Sequence, residues 1–229
     1  MKLKKYVGFM LAAVLCVSAL AGCSSSSKKE TETTTTETDG KTLRIAFPDM
    51  VTTTDPANVS AATMLKEVAG VCETLVYADS DFKLQPMLAT EWEQTGDTTW
   101  EFKLRDDVTF HDGTKFNADA VKWCLERERD ENSAFKGSTF IDSVDVVDEY
   151  TIRINTTQPT TELPGAVSYV GTAIVAPTSV DENGEFVKAI GTGCFMQTDF
   201  DVTSGKFTCE KYDGYWGDVN TSVTSRVIT

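Results

Sequence analysis

The 229-residue chain has a single histidine, His111, and its six cysteines form no C-x-x-C or Cys/His pair at ligand spacing. A structural zinc site needs such clustered ligands, so no metal site is expected. The nucleotide signature G-x-x-x-x-G-K-[ST] is missing, and Gly191-Thr192-Gly193 is followed by neither a lysine nor a helical pattern. No G-x-S-x-G elbow occurs. The S-x-x-K strings Ser80 to Lys83 and Ser133 to Lys136 stand without the S-D-N and K-T-G elements that serine acyltransferases use. No catalytic residue and no cofactor are therefore assigned, and a surface-anchored enzyme is the distant alternative. Positive charge is scarce: 21 Lys and Arg face 35 Asp and Glu, for a net charge of −14. Such a surface excludes nucleic acid and anionic lipid as partners. The stretch from Val7 to Leu20 is almost wholly apolar, but its 14 residues fall short of a helix that crosses a bilayer core of roughly 30 Å.

That stretch follows Lys2, Lys4 and Lys5, the arrangement of a secretory leader. Leu20-Ala21-Gly22-Cys23 resembles the lipobox of bacterial lipoproteins, in which the cysteine is diacylated and becomes the mature N-terminus; an ordinary leader cut near Ala21 is the alternative. Ser24 to Thr38, "SSSSKKETETTTTET", contains no aliphatic or aromatic residue. It cannot bury enough apolar surface to offset its ordering entropy, so a disordered tether is expected. The organisation read from this is a leader at 1–22, a lipidated Cys23 with its tether at 23–41, and a folded region from residue 42. Export also allows Cys72, Cys124, Cys194 and Cys209 to be oxidised.

Within the folded region, Leu43 to Phe47 alternates and ends at Pro48, predicting a strand followed by a loop. Apolar spacing at Met64, Val68, Val71, Cys72 and Leu75 predicts a helix between about Ala61 and Leu75. Phe82 to Met87 reads as a short extended segment. Trp100, Phe102 and Leu104 alternate with polar residues, as in a half-buried strand. Asp112-Gly113 is a turn, and Asn117 can cap a helix whose buried face carries Val121, Cys124 and Leu125. Val144 to Val147 and Tyr150 to Ile154 flank Asp148-Glu149 as a hairpin. Phe195 to Phe200 and Phe207 to Tyr212 form another, around Ser204-Gly205. Centring that second hairpin near Ser204 places Cys209 opposite Asp199. Cys194 is then five residues out of register, too far for a bridge. Strands and helices mix without strict βαβ alternation, which gives an α/β, or mixed α+β, fold.

The order of residues in "VCETLVYADSDFKLQPMLATEWEQTGDTTWEFKLRDDVTFHDGTKFNADAVKW" resembles the extracellular solute-binding proteins of family 5, the oligopeptide, dipeptide and nickel binders of ABC importers. Further on, "AIGTGCFMQTDF" is similar to the family's G-T-G-P-[YF] element and "KYDGYWG" to its Y-W-G element. Cys72 and Cys194 depart from the family's usual aromatic and proline. His111 sits inside a framework signature, and no role is assigned to it.

The resemblance implies a periplasmic-binding-protein-like type II fold. The chain would then hold an N-terminal lobe, its core at 43–68 and 169–229 with an inserted subdomain at 69–168, and would lack the C-terminal lobe as a truncated fragment. It implies a lipoprotein that captures oligopeptides or dipeptides and delivers them to ABC permease subunits in the membrane, monomeric when full length. Its place would be the extracellular face of the cytoplasmic membrane, or the periplasmic side where an outer membrane exists. A nickel-chelate or other small-solute binder of the same family is the alternative. That branch places a cation just before an [IV]-A-P element, and Ser168 to Pro177 here contains no lysine or arginine. By rough alignment the ligand-facing residues are Asn58, Val59 and Ser60 after the first strand, Phe135 or Lys136, and Tyr169 and Val170.

Overall fold

The computed structural model describes residues 40–131 and 139–229. Cys23 with its leader and tether, and Phe135 and Lys136, lie outside the described residues.

Two four-stranded sheets organise the described region. The first has the order β1-β10-β9-β8, with β1 at Lys41–Ile45, β8 at Phe195–Asp201, β9 at Lys206–Lys211 and β10 at Val223–Ile228. In it β1 runs parallel to β10 and the other pairs are antiparallel. The second sheet is wholly antiparallel in the order β4-β5-β7-β6, using Ala89–Gly96, Thr99–Leu104, Thr151–Thr156 and Ile141–Asp148. A small hairpin, β2 (Val76–Ala78) with β3 (Leu84–Pro86), stands apart from both.

The second sheet shows how the sequence pattern becomes packing. Along β5, Trp100, Phe102 and Leu104 are buried while Lys103 between them is exposed. Opposite them Ile152 and Ile154 of β7 and Val144 of β6 turn to the same side. Helix α2, Ala118–Glu131, packs across β6 and β7. Its start is fixed by Asn117, whose side-chain oxygen accepts from the Ala120 amide at 3.0 Å. Its buried stripe is Ala118, Val121, Cys124 and Leu125, and it continues into a carboxylate, Glu128.

The first helical segment is shorter than its apolar spacing predicts. Helix α1 covers Val59–Thr63 and continues as a π-helical turn over Met64–Ala69. It stops at Gly70, which adopts a left-handed backbone (φ 67°), the usual helix terminator. Val71, Cys72 and Leu75 are buried as expected, but from an extended segment, with Glu73 bridged to Ile174. The second hairpin also differs in register. An irregularity between Gln197 and Asp199 places Cys209 opposite Gln197 rather than Asp199. Cys194 is thus three residues out rather than five, still about 10 Å along the strand and beyond bridging reach, and both are free thiols. Strand β4 escapes the sequence pattern altogether. Only Ala89 is buried along it and Trp92 is half-buried, too sparse an alternation to read.

Candidate functional site

Three local constructions stand out. The first contains the proposed ligand-facing residues. After β1 the loop turns at Asp55, whose carboxylate accepts from the Ala57 amide and whose carbonyl accepts from the Asn58 amide. Asn58 then caps α1, its side-chain oxygen accepting from the Ala61 amide at 3.1 Å. Ser60 donates its hydroxyl to Asp49 at 3.1 Å, so the loop is closed on itself. Helix α1 packs beside the 3-10 turn Val170–Thr172. Of the candidates, Val59 and Ser60 lie on α1 and Val170 on that turn, while Asn58 and Tyr169 cap the two elements. Val59 is 38% and Tyr169 46% exposed, whereas Val170 is buried at 9%. Of the five described candidates, these two side chains offer the most apolar surface to a ligand.

The second construction is a buried knot that sequence reading did not foresee as such. Glu73 is only 6% exposed. Its carboxylate accepts from the Tyr215 hydroxyl (2.7 Å), the Trp216 indole N–H (2.9 Å) and the Thr192 hydroxyl (2.7 Å). The Arg105 guanidinium lies 4.1 Å from the Trp216 ring centroid. Burial pushes the Glu73 carboxyl upward, and the three donors and Arg105 pull it back. Its main chain meanwhile accepts from the Ile174 amide. One carboxylate thus ties together three stretches that are far apart in sequence.

His111 belongs to the same region. Its Nδ1 accepts from the Gly191 amide at 3.2 Å and its Nε2 donates to the Gly193 carbonyl at 2.8 Å. That pairing requires the neutral imidazole with the proton on Nε2. Burial agrees, lowering its pKa to about 4. The ring also meets Tyr212 edge-on, with centroids 4.9 Å apart. The glycines are obligatory here. A Cβ at Gly191 would lie 2.0 Å from the Val71 carbonyl oxygen, and one at Gly193 2.3 Å from that of Gly70. The histidine is a clamp on a close backbone crossing.

The third construction links the first to α2. Arg127 donates two hydrogen bonds to Asp55, at 3.0 and 2.6 Å. A longer contact of 3.4 Å reaches Glu128 Oε1. Glu128 is fully buried, and its Oε2 has no partner. Burial first, and Asp55 second, raise its pKa to about 8. Its sequence signal was available: it falls four residues after Cys124 and seven after Val121, on the apolar stripe of α2.

The family profile described as bacterial extracellular solute-binding proteins, family 5 Middle, matches residues 83–228. The chain belongs to this family. The knot joins residues from the stretches that carry the resemblance: Glu73 of "CETL", Thr192 of "GTG" and the Tyr215-Trp216 pair of "YWG". The chain is 28% identical to the glutathione-binding protein GsiB of Shigella flexneri over 187 residues, 77% of this chain and 35% of that one. Among solved structures, it matches an ABC transporter substrate-binding protein from Sinorhizobium meliloti with 35% identity and a TM-score of 0.72, covering 82% of this chain and 39% of that one. A nickel ABC transporter protein from Bacillus halodurans matches with 32% identity and the same TM-score, covering 82% and 38%. The chain thus spans little more than a third of the length of these relatives. The periplasmic-binding-protein-like α/β architecture stands on these matches. The matched proteins bind solutes; none of them is named as an enzyme. No helix among the described residues is long and apolar enough to cross a membrane.

Proposed function

We propose that this chain is the N-terminal part of a substrate-binding lipoprotein of an ABC importer, anchored through Cys23, that captures oligopeptides or dipeptides and hands them to a membrane permease. The loop of Asn58, Val59 and Ser60 and the turn of Tyr169 and Val170 form one wall of the ligand site. The observation that carries this reading is the packing of α1 against the 170–172 turn. It sets the two elements that carry or adjoin these residues, from distant stretches of sequence, side by side on a solute-binding framework. Peptides suit such a wall because their main chain offers hydrogen-bonding groups to any exposed loop, while side chains rest on apolar surface such as Val59 and Tyr169.

The likeness to a nickel ABC transporter protein supports a second reading. Against it, the turn at 168–177 carries no cation, and an anionic chelate enclosed without one is costly to bury. Purifying the intact gene product without denaturation, then releasing its bound solutes in acid for mass spectrometry, separates the two. Peptides are expected. Recovery of stoichiometric nickel, or of a solute with no peptide bond, would reject the peptide reading.

A further inference from the structure

We infer that Asp55, Arg127 and Glu128 form a proton-gated latch that positions the loop carrying Asn58, Val59 and Ser60 against helix α2. The geometry is that of two carboxylates competing for one guanidinium. Asp55 holds it bidentately, at 3.0 and 2.6 Å. Glu128, adjacent in sequence to Arg127, is left with a single 3.4 Å contact and a bare Oε2, although it is fully buried. With both acids ionised, the cluster would hold one uncompensated negative charge away from water. A proton on Glu128 makes it neutral, and the Asp55–Arg127 pair can then stay closed.

Among the described residues no other group nearby takes over the compensation. On α2 itself the neighbours are Cys124 and Glu131, and from the segment after Gly70 comes Cys72; burial holds both thiols in the protonated form. The turns at 170–172 and 177–179, which also pack on α2, contain no titratable side chain. Toward β6, the helix presents Lys122 and Glu126, which pair with each other and with the Val144 backbone. The remaining neighbour of Arg127 is the Phe186 ring, 5.3 Å away, which shields the ion pair without adding charge. Arg127 is thus the only cation within reach of Glu128 among the described residues.

The latch has a directional consequence. Opening the loop lets water reach Glu128, which returns to an ordinary carboxyl pKa of 4.5 from about 8 in the closed state. Between those values the closed state holds a proton that the open state releases, so opening becomes about tenfold easier per pH unit and then levels. Arg127 and Glu128 are positioning residues here, since neither touches the proposed ligand surface directly. The effect on ligand capture rests on the function proposed above; the latch itself does not.

The test is peptide-resolved hydrogen exchange of residues 51–60 in the intact, ligand-free protein between about pH 5 and 9, corrected for intrinsic rates. The wild type is expected to show that tenfold-per-unit slope up to about pH 8, with the infrared band of a protonated carboxyl persisting through that range and vanishing around pH 8, where the slope levels. Glu128→Gln, or Glu128→Leu should the amide variant fold poorly, removes both slope and band. Arg127→Lys raises exchange at every pH and keeps the slope. A flat wild-type profile, or an unchanged slope in both Glu128 variants, overturns the latch. If the slope is present while affinity for the co-purified solute ignores pH, the latch stands and the placement of ligand on Asn58 to Ser60 falls.

Discussion

Glu73 and Glu128 are both carboxylates removed from water, yet their surroundings are opposite. Glu73 receives three hydrogen bonds from Thr192, Tyr215 and Trp216 and feels Arg105 close by. Glu128 receives one weak contact and leaves an oxygen bare. The first arrangement replaces hydration with donors fixed by the fold, and it holds distant stretches of chain in place. The second does not replace hydration, and its buried charge is avoided only by taking up a proton. A buried acid with full coordination is a fastener; one without it is a sensor of pH.

Removing the fastener should be the more damaging change. Glu73→Ala leaves the buried Thr192 hydroxyl and the half-buried Tyr215 and Trp216 donors unpaired and is expected to cost about 3–5 kcal/mol, read as a lower urea midpoint. Glu73→Gln, which keeps an acceptor, should cost less. An unchanged midpoint for Glu73→Ala would erase the distinction between the two sites.

Acid should weaken the knot through His111. Its folded pKa, about 4, lies below the ordinary 6.5, so the unfolded chain binds the proton more readily. Stability is full above about pH 6.5 and is lost as pH falls toward 4, by up to about 3 kcal/mol at 1.4 kcal/mol per unit. Glu128 has the opposite sign. Its stabilising share is complete below the unfolded value near 4.5 and declines as pH rises to about 8. Glu128→Gln should therefore gain stability above pH 8, by up to about 1.4 kcal/mol for each pH unit between those two values, and nothing near pH 4. Urea melts at several pH values check both, since His111→Gln flattens the acid limb and Glu128→Gln the alkaline one. The smallest change is Asn58→Ala, about 1 kcal/mol for a lost cap. It should also increase exchange at the Ala61 amide, leaving the knot untouched.

The two sites were not equally legible. Trp100, Phe102 and Leu104, the Asn117 cap and both long hairpins follow from alternation and turn chemistry, because each depends on neighbours in sequence. The motif residues Glu73, Thr192, Tyr215 and Trp216 were visible as a family order, but their meeting at one carboxylate is a fact of tertiary structure. Helix α1 ends before its apolar spacing does, because Val71, Cys72 and Leu75 fit a buried extended segment as well as a helix, and Gly70 decides between them. The Asp55–Arg127 pair spans 72 residues, a separation at which sequence pattern carries no signal. For the proposed ligand wall, the resemblance supplied the residues, and the structure adds which of their side chains are exposed.

The parallel pairing of β1 with β10 sets a schedule for making the protein. Among the described residues, strand β1 is an edge whose only partner in the sheet is β10, from Lys41–Ile45 to Val223–Ile228. On the ribosome that partner emerges roughly 10–40 s after β1, at synthesis rates of about 5–20 residues per second. Throughout that interval Leu43 and Ile45 sit on an unpaired strand, open to mispairing with other chains. The second sheet, whose hairpins join neighbours in sequence, can form meanwhile. The nascent chain should therefore depend on export or chaperones to keep its first strand unengaged until its last described strand arrives.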